Sequence, residues 1–154
     1  MSEELYNESV KKFTTDGGEI MMFYVDERLF GFDISYITEI IQMQPLTYVP
    51  KVPDYISGVI NIRGKVVPVI SIRKKFGEPE IEYNRRNCII VVDIGDFQAG
   101  LIVDNIREVS FVSPDSLCKT PDFKNVNASR YIQSILDYGE DTVMLLHIRK
   151  LVLD

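Results

Sequence analysis

A chain of 154 residues, 45% hydrophobic and 26% charged, suits one compact unit or two very small ones and excludes a disordered or collagen-like polymer. Lys and Arg number 17 against 23 Asp and Glu, and the net charge of −6 repels nucleic acid and anionic membranes unless a strong local basic patch is present. The short clusters Arg73-Lys74-Lys75 and Arg85-Arg86 both have acids close by and read as ordinary solvated surface.

Residues 1–18 begin MSEELYNESVKKF, with three acids and no apolar run, and end in Asp16-Gly17-Gly18. They read as a flexible tail and not as a secretory leader. No later stretch approaches the roughly 18 apolar residues of a membrane span, so the expected location is cytoplasmic. Short β-type runs then dominate: IMMFYV, RLFGFDI, GVINI, KVVPVISI, CIIVVDI, QAGLIVD, YIQSILD and TVMLLHI. They are rich in β-branched and aromatic residues and bounded by Gly, Pro, Asn or Asp. Cys88 heads one run as a small apolar residue, and Cys88 and Cys118 show no metal spacing. Short helical turns are expected at 35–38, 54–57, 72–76, 114–117 and the C-terminus. The fold class is mainly β.

The chain also repeats itself. Tyr55–Asn61 lies over Tyr131–Asp137 and Val67–Lys74 over Val143–Lys150, both at an offset of 76 (131 − 55). Gly31–Ile40 lies over Gly100–Val109 at 69 (100 − 31), and Met22–Asp26 over Ile89–Asp93 at 67 (89 − 22). Four blocks in one order indicate a duplication with loop insertions. Each half supplies about five strands, enough for a small barrel that hides its own edges. The expectation is two five-stranded β-barrels packed together, spanning 19–80 and 81–154, with strand exchange between them left open.

Catalytic chemistry is missing from the pattern. His147 is the only histidine, aligns with Ser71, and has no nucleophile motif beside it. The glycines form neither a P-loop nor a dinucleotide fingerprint. Asp26, Asp33, Asp93 and Asp104 fall at strand ends, where Asp commonly makes turns. No cofactor or metal is expected. A non-enzymatic binding module remains, whose groove between barrels suits an amphipathic partner helix. The competing readings are a ligand- or nucleic-acid-binding double barrel, which a basic aromatic face would favour, and an enzyme, which a polar pocket of converging titratable groups would favour.

The stretch from Val52 to Ile70, VPDYISGVINIRGKVVPVI, followed by Ile72-Arg-Lys-Lys-Phe-Gly77, closely resembles the signature of the CheW family of chemotaxis coupling proteins. Gly31–Ile40 is similar to the family's early strand-turn-strand, and Gly100–Val109 to its second-half counterpart. The resemblance covers about residues 19 to 153. It implies two five-stranded barrels, no catalysis, and two partners: the cytoplasmic tip of a chemoreceptor and the regulatory domain of a CheA-type histidine kinase, assembled into membrane-associated arrays. By matching position, Ile37 and Glu39 fall where the family contacts the kinase. Gly58, Arg63, Ile89, Ile90, Gly100 and Val103 fall near positions tied to receptor binding or coupling. Ser71 stands where the family often has Asp, and it can still cap the short helix that follows.

Repetition helps sort these residues. Glu39 recurs as Glu108 and Ile37 as Ile106, so both have a fold-serving reading as well. Gly31 and Gly100 read as backbone requirements. Arg63 differs, because the second half does not repeat the Arg-Gly pair. A two-residue turn accepts many residues at position 63 if Gly64 supplies the positive φ. Arg63 is therefore the residue expected to serve a partner.

Overall fold

The computed structural model describes residues 16–118 and 130–154; residues 1–15 of the expected tail lie outside the described residues. In chain order, β1 (Gly18–Val25) and β2 (Arg28–Asp33) form a hairpin, and a 3-10 turn (Ile34–Tyr36) leads into β3 (Ile37–Gln42). β4 (Ile56–Ile62) and β5 (Lys65–Ser71) form a second hairpin, followed by helix α1 (Ile72–Lys75). The second half follows the same plan. It has β6 (Cys88–Asp93), β7 (Gln98–Val103), β8 (Asn105–Val112), a 3-10 turn (Pro114–Ser116) and the two-residue β9 (Leu117–Cys118). β10 (Ile132–Tyr138), β11 (Asp141–Leu146) and helix α2 (Ile148–Leu153) complete it.

Four of the five expected helical turns are present. The stretch 54–57 is instead a turn in which the Ile56 amide donates to the Pro53 carbonyl at 3.0 Å, because Ile56 already begins a strand opposite Ile70. β3 and β8 were not among the eight β-type runs. Glu39 in one, and Arg107 and Glu108 in the other, interrupt the apolar pattern that marks a buried strand.

The mainly β class holds, in two sheets that each draw on both halves of the chain. One runs β8-β1-β2-β11-β10-β9 and the other β3-β6-β7-β5-β4. Each leading hairpin, β1–β2 or β6–β7, therefore pairs with the later strands of the opposite half. The crossings are equivalent: β2 runs parallel to β11, and β7 parallel to β5. A shared core containing Phe23, Phe30, Phe32, Ile90, Val92 and Leu101 lies on one face of both sheets. Each opposite face carries its own cluster, around Met22, Leu136 and Val143 in one sheet and Val69, Ile89 and Ile102 in the other.

The duplication reaches single residues. Thr38 bulges out of the β3–β6 ladder as Arg107 does from β1–β8, and Ser57 out of β4–β5 as Gln133 does from β10–β11. The Ser71 amide donates to the Tyr55 carbonyl and the His147 amide to the Tyr131 carbonyl, both at 2.8 Å. Their side chains then cap the two helices: Ser71 Oγ accepts from Lys74 at 3.2 Å, and His147 Nδ1 from Lys150 at 3.1 Å. One alignment changes. Met22 stands opposite Gly31 and Val91 opposite Gly100, so the earliest block also has the offset 69 (91 − 22), not 67.

The ladders themselves leave each sheet open among the described residues, which limits the barrel expectation to two curled sheets. The 3-10 turn after β8 interrupts the strand before β9 pairs with β10. In the other sheet only the isolated bridge Thr47↔Val59 joins the segment after β3 to β4.

Candidate partner-binding surface

Arg63 and Gly64 join β4 to β5 through a two-residue turn, and both are left-handed, at φ 50° and 83°. Two positive φ values make this a type I′ turn, whose sterics favour Asn-Gly over Arg-Gly. The expectation that Gly64 alone supplies the positive φ is therefore corrected. Holding an L-residue there costs roughly 1–2 kcal/mol. The matching turn between β10 and β11 begins with Gly139, at φ 66°. Ile62 faces Lys65 as Tyr138 faces Asp141, so the turn sets Arg63 against Gly139, in keeping with the offset of 76 (139 − 63). The second half fills the strained position with glycine, and the first keeps arginine.

The Arg63 side chain is 81% exposed, yet its Nη1 lies 2.8 Å from Oε2 of Glu39, which is 22% exposed. β3 and β4 are the two edges of their sheet, so this ion pair crosses the seam where the edges approach. Pairs this open add only about 0–1 kcal/mol to stability. The fold alone gives little reason for it.

The other candidate residues are less accessible. Ile89, Ile90 and Val103 have no exposed surface, and Gly58 and Gly100 are buried. A Cβ on Gly58 would sit 2.7 Å from the Thr47 carbonyl oxygen, and one on Gly100 2.7 Å from Cγ2 of Ile89. Gly58 permits a close backbone approach, and Gly100 leaves room for the Ile89 side chain. Ile37 is half-buried against the shared core. Only Arg63, and part of Glu39, offers polar atoms at the surface. Sequence reasoning missed the apolar neighbours Ile40 and Val66, 40% and 62% exposed, and on β8 Val109 and Phe111, 46% and 61% exposed. Ile40 was legible as the apolar member of the outward set Thr38, Ile40 and Gln42.

A buried ion pair lies beyond the opposite end of β5 from Arg63. Arg73 on α1 makes two hydrogen bonds to Asp104, at 2.8 and 2.9 Å, and Asp104 also accepts from the Asp26 amide at 2.8 Å. Burial pushes the Asp104 carboxyl up, but the hydrogen bonds from Arg73 and Asp26 outweigh it, and the net direction is down. Burial likewise dominates at Tyr83, raising its hydroxyl to about 12, with its bond to Glu80 acting the same way. A cavity of about 450 Å³ opens between Met43–Leu46 and Tyr83–Arg85. Its lining carries no carboxylate and no imidazole, so no acid–base pair converges there. Among the described residues no cluster of His, Cys, Asp and Glu could hold a metal ion.

Residues 19–154 match the family model described as the CheW-like domain. The chain belongs to the CheW family. It is 30% identical to the chemotaxis protein CheW of Klebsiella aerogenes over 138 residues, covering 90% of this chain and 83% of that one. It is 34% identical to the chemotaxis protein CheW of Bacillus subtilis over 106 residues, covering 69% and 68%. The crystal structure of the scaffolding protein TtCheW from Thermoanaerobacter tengcongensis superposes with a TM-score of 0.78 at 30% identity, covering 88% of this chain and 87% of that one. CheW is a family of scaffolds and not of enzymes, so this chain is a non-enzymatic chemotaxis adaptor. No helix among the described residues is long and apolar enough to cross a membrane.

Proposed function

We propose that this CheW-family chain joins the cytoplasmic tip of a chemoreceptor to the regulatory domain of a CheA-type histidine kinase, in arrays at the membrane. Ile37 and Glu39 serve the kinase side; Arg63, Gly58, Ile89, Ile90, Gly100 and Val103 serve receptor binding or coupling. One observation supports the reading: Glu39, at a kinase-contact position of the family, is ion-paired with Arg63, at a receptor-coupling position. An exposed pair worth little to the fold can be given up for a partner. The buried members of the set act by shaping the packing beneath. In the same reading, 19–80 and 81–154 are the duplicated units, and each sheet, with β8 and β9 counted as one bent strand, is a five-stranded barrel closed by the bend that carries the chain from one edge to the other.

The test is a titration against a CheA-type regulatory domain and, separately, a receptor-tip helical hairpin. Glu39→Lys is expected to weaken the first, and Arg63→Ala the second by about tenfold or more, the scale of a charge-assisted hydrogen bond in a partly dry interface. Melting temperatures should stay within about two degrees, since both residues lie outside the core. Binding of the native chain to neither partner overturns the reading.

A further inference from the structure

We propose that Asn61 is a positioning residue: it holds the Arg63 turn in the left-handed form that presents the guanidinium to a partner. This rests on the receptor-coupling role of Arg63 proposed above. Oδ1 of Asn61 accepts the Gly64 amide at 2.9 Å, bridging the whole Arg63 turn from its start to its end. Asn61 is exposed, so this bond rescues no buried polar group; its effect is local and conformational.

Two other hairpins of the chain act as internal controls. Asp26 and Glu27, which join β1 to β2, are likewise non-glycine residues at positive φ, 54° and 64°. Their turn is also tied by a side chain, because Asp104 accepts the Asp26 amide at 2.8 Å. The turn between β10 and β11 instead places Gly139 at the demanding position, where left-handed backbone costs little. In these two hairpins, β1–β2 and β4–β5, the left-handed non-glycine residues come with a side-chain tie. Without the Asn61 bond, Arg63 gains by relaxing toward negative φ, which turns its side chain away from Glu39 and spreads the guanidinium over many directions. Asn-x-Arg-Gly then forms one mechanical unit, in which Gly64 closes the turn, Asn61 locks it and Arg63 is displayed.

The experiment uses the full chain and a soluble receptor-tip helical hairpin as probe. Asn61→Ala should weaken binding about fivefold, the scale of one net hydrogen bond. Asn61→Asp, which keeps an acceptor oxygen, should restore at least half of the lost affinity. The decisive readout is the double variant: if Asn61 acts through Arg63, Asn61→Ala in an Arg63→Ala background should cost nothing further. Native affinity in Asn61→Ala, with Arg63→Ala weakened, overturns this inference alone. So does an additive double variant, which would mean that Asn61 touches the partner itself. Native affinity in Arg63→Ala overturns the receptor-coupling reading on which it stands.

Discussion

The two halves of the molecule share their bulges, their helix entries and their hairpin exchange, yet they end their matching hairpins differently. The first half carries Arg63-Gly64 and the second Gly139-Glu140. Shared features mark what the fold needs twice: Thr38 and Arg107 bulge at equivalent places despite unlike chemistry, because the bend and not the side chain is required. At these matching hairpins the fold does not explain the difference, which is what the partner role proposed for Arg63 would leave. Arg63 accepts a strained backbone that its counterpart avoids.

The equivalent arginines of α1 and α2 give the largest expected effect. Arg73 is paired with Asp104 in a buried site, whereas its counterpart Arg149 donates to the Ile94 carbonyl at 2.6 Å. Arg73→Ala should cost about 3–5 kcal/mol in urea unfolding, because it strands a carboxylate; Arg149→Ala should cost less. Equal losses would mean that the halves do not differ there.

The helix caps come next. Burial lowers the His147 imidazole to about 4, helped by Lys150 and Arg149 and opposed by the backbone bond it makes. The unfolded chain takes up a proton near pH 6.5 and the folded chain only near 4. Stability should therefore fall as pH drops through that window, by up to about 3 kcal/mol, and level off below it. His147→Ser copies the first half's cap and should remove this component of the slope. An unchanged profile would take the histidine out of the acid response.

The smallest effect on stability is expected at the turn. Arg63→Gly copies the second half and should shift unfolding by less than about 1 kcal/mol, since relieved strain offsets added freedom in the unfolded chain. Receptor-tip binding should nevertheless fall about as far as in Arg63→Ala. A destabilised but fully binding variant would reverse the argument.

Much of this was legible beforehand, because strand pattern and duplication are written in local apolar spacing. Tyr55 over Tyr131 and Ser71 over His147 were set against each other by sequence and proved equivalent down to their hydrogen bonds. β3 and β8 were harder to read, since edge strands carry charges that interrupt the pattern. The exchange of leading hairpins was not readable, because β1 can satisfy the same apolar demand against either half.

The sequence by itself determined the β class and the repeat, and it singled out Arg63 as a candidate for partner binding. Only the tertiary structure decided that Arg63 is left-handed and that it meets Glu39 across a seam. Those facts depend on backbone angles and on the curl of a sheet that brings its two edges together. Neither is encoded in the spacing of residues along one strand.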